Sequence, residues 1–463
     1  MSADGTVAPE ERRRIIVASV IGTTIEFFDF YVYATAAVSI FPLLFFPKGE
    51  GTAALLASMA AFGVAFVARP IGSMLFGHFG DRAGRKATLI GSLLLMGLAT
   101  FAVGLLPPYH SVGLLAPALL ASLRFCQGLG LGGEWSGAAL LAVETAAPGE
   151  RAKAAMWPQL GAPFGFILAN GSFLALTTAF AFQSGAARLD DPFLVWGWRL
   201  PFLASILMVL VGLYARIKLN ETPVFLRAVE RGEKLRSPVT KVFRDNFGAL
   251  VRGAFIMVAT YGIFYLMNTW TLSYAIGKVE QGMLGVDYRT FLSLQLVAVL
   301  FFALFIPVSG ALADRFGRRR LLIVVTGGII LFGLSFGWFL SPAIMGSGAG
   351  ANLWLMGLFL SLGMSLMGLS FGPMSALLPE LFPTNTRYTG SGISYNAASI
   401  LGAALTPFAA TWLASAYGPG LVGYYLAGLG GATLVALLLS EETRAMDLET
   451  MEASAAAIEA TSP

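Results

Sequence analysis

The sequence predicts an all-α membrane protein: twelve transmembrane helices in two pseudo-symmetric six-helix halves, with both termini cytoplasmic. Three observations carry that prediction. Hydrophobic residues form 56% of the 463 residues and charged residues 12%, with a mean hydropathy of +0.74, more apolar surface than a water-soluble core absorbs. Apolar runs long enough to cross about 30 Å of hydrocarbon as a helix recur from end to end. Motifs of the first half return in the same order in the second. The short alternating segments of a membrane barrel are absent, and lipid then leaves helices as the way to satisfy the backbone.

The segment 1–14, MSADGTVAPEERRR, is polar and lacks a small-residue cleavage site, so it is expected to remain as a cytoplasmic N-terminal segment. The first half, 15–215, holds spans at about 15–41, 52–77, 87–107, 112–143, 153–180 and 193–215. Residues 216–249 are polar and basic, which predicts a cytoplasmic linker with short amphipathic helices on the membrane surface. The second half, 250–440, holds spans at about 250–275, 290–312, 320–341, 351–379, 388–416 and 419–440. Several runs exceed the bilayer and predict tilt. The tail, 441–463, is short, Ala-rich and cytoplasmic. Of the 30 Lys and Arg residues, 23 fall in the termini, the linker and the loops on their side. Four, Lys48, Arg188, Lys278 and Arg289, fall in the opposite loops, and Arg69, Arg124 and Arg199 fall within spans. The excess of positive charge places both termini inside.

Composition also excludes functions. The net charge of +4 is scattered over loops and does not point to nucleic acid. His78 and His110 are the only histidines, too few for a His-based metal site, and Cys126 has no cysteine to pair with. No nucleophile–base set appears, so an enzyme is not expected. No cofactor or metal is expected either, and the protein is expected to act as a monomer among membrane lipids.

The internal repeat is specific. GHFGDRAGRK (77–86) returns as GALADRFGRR (310–319), which aligns Asp81 with Asp314. Glu144 and Arg151, seven apart, return as Glu380 and Arg387. LNETP after the sixth span echoes SEETR after the twelfth. Repeats of this kind build transporters with a substrate site between the halves near the midplane.

The repeated G-x-x-x-D-R-x-G-R-[KR] loop resembles the major facilitator superfamily. IEFFDFYVYA, RPIGSMLFGHFGDRAGRK, RFCQGLGLGGEWSGAALLAVE, WGWRLPF and LPELFPTNTRYTG together resemble its metabolite:H+ symporter family, over nearly the whole chain. The resemblance implies the major facilitator fold in the bacterial inner membrane and rocker-switch transport of a small metabolite with a proton as coupling ion. Family substrates are carboxylates, shikimate-like acids and zwitterions such as betaine and proline. Osmosensing members carry a C-terminal coiled coil, whereas the tail here has no heptads.

Buried charge locates the chemistry. A charge at the bilayer centre costs at least ~2.5–3.5 kcal/mol and should be paired, neutralised or facing a cavity. Asp29 lies near mid-depth in the first span, and related transporters place Arg124 of the fourth span opposite it. Glu26, Glu134 and Arg69 form a second layer. Arg124, Gln127 and Glu134 share one helical face, as do Glu26, Asp29 and Tyr33. Three acids against the two bases Arg69 and Arg124 leave one acid unpaired, and burial disfavours its charged form, which suits a proton carrier. The expected cycle is protonation of Asp29 or a linked acid, loosening of an Asp29–Arg124 pair, and capture of the substrate by Arg124. A potential of about 100 mV contributes ~2.3 kcal/mol per charge and one pH unit about 1.4, together enough for accumulation of a few hundredfold.

Further substrate contacts are expected at Gln159 and Asn396, equivalent by the repeat, and at Tyr261, Tyr265 and Asn268, spaced i, i+4, i+7 on the seventh span. The loops are expected to gate. Gly77 permits a tight approach, and Asp81 can meet the positive N-terminal end of a helix in the other half. Arg82 and Arg85 can pair with Glu144, beside Arg151. Asp314, Arg318, Glu380 and Arg387 repeat the arrangement. The favoured function is proton-coupled symport of a small carboxylate or zwitterion. An uncoupled facilitator or an antiporter on the same fold is the alternative, and a membrane sensor that moves nothing is the third reading.

Overall fold

Among the described residues of the computed structural model, eleven helices are long and apolar enough to span a membrane and a further apolar helix is shorter. The structure describes residues 9–46, 51–83, 85–144, 146, 149–182, 189–217, 238–383 and 386–444. Within these, the side chains of 9–12, 15, 51, 52, 77–83, 85–89, 141, 144 and 238 are not described.

The first half comprises α1 (Ile16–Ser39), α2 (Ala53–Phe76), α3 (Arg85–Val103), α4 (Leu115–Leu140), α5 (Arg151–Ala179) and α6 (Phe193–Ile217). The second comprises α7 (Phe247–Ile276), α8 (Tyr288–Phe316), α9 (Arg318–Phe339), α10 (Leu353–Glu380), α11 (Arg387–Tyr417) and α12 (Pro419–Leu438). Twelve alternating helices put the described start of α1, the linker and the end of α12 on one side, the linker end; the opposite side is the far end. A short helix, Pro238–Asp245, precedes α7 and buries Val242 against Leu250, Phe382 and Ile393.

The repeat visible in the sequence is visible in the helices. Pro70 lies inside α2 and Pro307 inside α8, and proline there removes a backbone donor. α4 breaks at Gly132 and Gly133, and α10 breaks at Gly372 and Pro373. Small residues let backbones touch where lipid offers no hydrophobic drive between helices: Gly128 of α4 lies against the Ala65 backbone of α2, and Gly368 of α10 lies against the Phe302 backbone of α8. The halves meet where α2 packs on α11 and α5 packs on α8. Residues such as Val67, Leu207, Val324 and Trp354 point outward, which suits a lipid-facing surface.

One boundary differs from the sequence expectation. Arg216, placed in the linker, instead completes the last turn of α6 and is buried. It has a carboxylate to turn toward there, so it does not extend to the surface.

Candidate functional site

A cavity of about 10 Å³, roughly the space of one water, lies between the halves. The first half contributes Glu26, Phe27 and Phe30 from α1 and Arg69 from α2. The second contributes Tyr261, Phe264 and Tyr265 from α7, Phe371 from α10 and Tyr395 from α11. Arg69 Nη2 donates to Glu26 Oε1 at 3.2 Å, and both side chains are almost fully buried. The pair is thinly held: Glu26 Oε2 and Arg69 Nε make no hydrogen bond. Arg69 also lies 5.8 Å from the Tyr395 ring, within cation–π range.

A second charged cluster lies inside the first half. Arg124 is fully buried, donating from Nε to the Phe62 carbonyl at 3.3 Å and from Nη1 to Gln127 Oε1 at 3.1 Å. Gln127 in turn donates to Thr100 at 2.7 Å. The guanidinium sits 4.2 Å from the Tyr33 ring, 4.8 Å from Phe62 and 5.1 Å from Phe30. Asp29 is buried and makes no ion pair with Arg124. Thr100, Arg124 and Glu134 lie within electrostatic reach of it. Phe30, Phe62, Phe66 and Tyr265 form a wall of touching rings between this cluster and the cavity.

Several expectations change on this geometry. Arg124, Gln127 and Tyr33 do not line the cavity, because the ring wall stands between. Glu134 lies in the turn between the two segments of α4, Leu115–Leu131 and Trp135–Glu144. It forms an ion pair with Arg216, so the described side chains of the first half give three buried acids and three buried bases. Asn268 lies in a π-helical turn, Leu266–Trp270, which adds a residue and turns it off the face of Tyr261 and Tyr265. It donates to the Phe264 carbonyl at 2.8 Å. Gln159 and Asn396 are equivalent, but neither borders the cavity. Each reaches across the halves: Gln159 donates to the Phe371 carbonyl at 3.0 Å, and Asn396 to Ser73 Oγ at 2.6 Å.

Those two carboxamides belong to a closed linker-end interface. Asp314 accepts from the backbone N–H groups of Ala152 at 3.2 Å and Lys153 at 2.9 Å, in the first turn of α5 in the other half. Arg318 bridges Asp314 at 3.1 Å and Glu380 at 3.2 Å, and Arg151 approaches Glu380 at 3.9 Å across the interface. Arg387 donates to the Phe382 carbonyl at 3.2 Å. Thr443 donates to the other Glu380 oxygen at 2.6 Å. Trp135 stacks on Tyr395 at 3.8 Å and donates to Gln159 at 3.3 Å. Toward the far end, Ser39 Oγ donates to Tyr288 Oη at 3.4 Å. The gate positions Gly77, Asp81, Arg82, Arg85 and Glu144 lie outside the described side chains.

Residues 15–454 match the family described as sugar (and other) transporter. The chain belongs to this transporter family, within the major facilitator superfamily. It is a multi-pass inner-membrane transporter and not an enzyme. It is 52% identical to the inner membrane metabolite transport protein YhjE of Escherichia coli K12, over 94% of this chain and 96% of that protein. It is 33% identical to the shikimate transporter of the same organism, over 96% of this chain and 98% of that one. Among solved structures, the transporter superposes on the proton:xylose symporter XylE with a TM-score of 0.72 at 17% identity, covering 96% of this chain and 98% of that one.

Sequence reasoning missed one residue at the transporter's cavity and one beside its buried acids. Tyr395 borders the cavity one position before Asn396, on the strength of its stack with Trp135. Arg216 stood at the end of an apolar run, where a cation ordinarily reaches for the interface. Its offset from an unpaired buried acid was the available signal.

Proposed function

We propose that the protein is a proton-coupled symporter of a small carboxylate or zwitterion, with its substrate site at the Glu26–Arg69 pair and the linker end cytoplasmic. The observation that carries this is a buried guanidinium, held by one carboxylate oxygen, in the cavity between two half-transporters. A substrate carboxylate is the natural replacement for Glu26 on Arg69, because the planar fork matches it. A proton on Glu26 makes that exchange neutral; without it, two carboxylates compete for one cation in a low-dielectric site. Phe27, Phe264 and the tyrosines offer aromatic faces to the body of the substrate, including a cationic one. The name of the shikimate relative supports a carboxylate, and the proline/betaine transporters at 30% identity support a zwitterion.

Asp29 lies one turn beyond Glu26 on α1, about 4.5 Å further toward the far end, without the ion pair that Glu26 has. It serves as the far-side proton station, with Arg124 as its electrostatic counterweight. The described linker-end network holds that side shut until the loaded site nears neutrality, and the halves then rock.

Uptake of labelled shikimate and glycine betaine into proteoliposomes, with an imposed pH gradient and potential, tests the reading. Accumulation that vanishes when both gradients are collapsed is expected. Transport that proceeds unchanged would make the protein a facilitator, and saturable binding of either probe in Arg69→Gln at wild-type affinity would move the substrate site elsewhere.

A further inference from the structure

The Glu134–Arg216 pair has no part in the substrate site, yet its position is suggestive. It is an ion pair between the broken middle of α4 and the last turn of α6, with both side chains more than nine-tenths buried. It packs on Gly22 of α1: a Cβ there would lie 3.4 Å from Arg216 Nη2 and 3.5 Å from Glu134 Oε1. Gly22 and Glu26 are four apart and share a face of α1, so the two ion pairs sit about 6 Å apart along the helix. Glu134 and Glu26 use Oε1 for their arginines and leave Oε2 without a partner. Each acid therefore has one anchored oxygen and one that can take a proton. The charged groups shown to act on or respond to Glu134 are Glu26 and Asp29 on α1 and Arg216 on α6. Tyr261, Tyr265 and Tyr395 stand on the cavity side.

We propose that Glu134 is the proton exit of the transporter and that Arg216 drives release from it. This rests on the proton-coupled reading above. The acids step down α1 toward the linker end: Asp29, then Glu26, then Glu134 at the level of Gly22. Once substrate leaves Arg69, the O–H bond of protonated Glu26 breaks as Arg69 reclaims its carboxylate. The proton passes to Glu134 Oε2. Arg216, at the mouth of α6, favours the charged form of Glu134, so the proton goes on to water at the linker end and the site resets. Arg216 is a positioning residue: it touches neither substrate nor the Glu26 proton.

The test needs no knowledge of the substrate. The reconstituted full-length protein is transferred from H2O to D2O, and infrared spectroscopy follows the carbonyl stretch of buried protonated carboxyls. Wild type should exchange quickly. Glu134→Gln should slow exchange of the remaining carboxyls by roughly a hundredfold, the scale of proton transfer by a positioned side chain. Arg216→Gln should slow it in the same sense, and Arg216→Lys should restore most of the rate. A purely structural pair would lower the melting temperature of Arg216→Gln and Arg216→Lys while leaving exchange as in wild type, and that result overturns the proposal. So does wild-type exchange in Glu134→Gln. Parallel uptake of shikimate and glycine betaine separates the two readings: unaltered exchange in a protein that still accumulates substrate with the pH gradient removes only the exit, whereas a wild type indifferent to the gradient removes proton coupling itself.

Discussion

Asp314→Asn should unlock the linker end. The Asp314 carboxylate accepts two backbone hydrogen bonds from α5, at 2.9 and 3.2 Å, and both cross between the halves. They exist only while the halves touch there, so their full value biases the closed state. Hydrogen bonds to a charged group contribute about 1.5–3 kcal/mol each, and the helix terminus favours a negative charge further. An asparagine keeps one acceptor oxygen and loses the charge, so the closed state should lose about 2–3 kcal/mol, or roughly 30- to 150-fold in the closed-to-open ratio. Arg318 is not orphaned by the change, because Glu380 still holds it at 3.2 Å. The assay is labelling of a reporter cysteine at Ala155, which is buried at the closed interface, by a membrane-impermeant maleimide in a Cys126→Ser background. The labelling rate should rise in proportion to the open population, while affinity for substrate stays within a few-fold. An unchanged rate in a folded Asp314→Asn protein would refute the gate assignment.

Four further outcomes follow from the same contacts. Arg69→Gln strips the partner from buried Glu26, a loss of about 3–5 kcal/mol, and should lower substrate affinity at least about a hundredfold; Arg69→Lys should recover part of it, measured as ligand-induced thermal stabilisation. Asp29→Asn should retain counterflow and lose accumulation against a gradient in proteoliposomes, with Glu26→Gln and Glu134→Gln compared in parallel because the acids titrate as a set. Gly128→Val should destabilise by about 1–3 kcal/mol or more, because its Cβ would collide with the Ala65 backbone; Gly171→Ala, where a Cβ meets nothing, should leave the melting temperature in place. Tyr265→Ala should breach the ring wall and admit water to Asp29, seen as proton leak without substrate; vesicles as tight as wild type would count against the wall.

The fold was legible because membrane spans announce themselves. Composition, apolar length and the twofold loop motif each bear on the same twelve helices, and the span ends differ from the sequence reading by a few residues. The charge layers were legible too, since Glu26 and Arg69 could be set at one depth from the ends of their spans. Partner choice was not. Depth and helical phase say which residues share a level, but not how far each helix is rotated or where it breaks. Glu134 proved to pair with Arg216, and Asn268 to sit in a π-helical turn bonded to the Phe264 carbonyl. Arg124 looked like a substrate cation because nothing in the sequence shows that Phe30, Tyr33 and Phe62 enclose it. Gln159 and Asn396 were found as equivalents, yet equivalence says nothing about whether a carboxamide faces a cavity or bridges it.

The ring wall offers the proposed proton coupling a physical basis. Three of its members, Phe30, Phe62 and Phe66, belong to the first half, and the fourth, Tyr265, belongs to the second. Tyr265 touches all three at 5.2–6.0 Å and also borders the substrate cavity. Its position therefore depends on how the halves are seated against each other, while the acids it shields are fixed within one half. In the proposed cycle, halves that part at the far end would carry the ring away with α7 and let water reach the cluster that holds Asp29, and halves that close would return it. A substrate on Arg69 and a proton on Asp29 would then be coupled without touching, because both would wait on the same aromatic side chain.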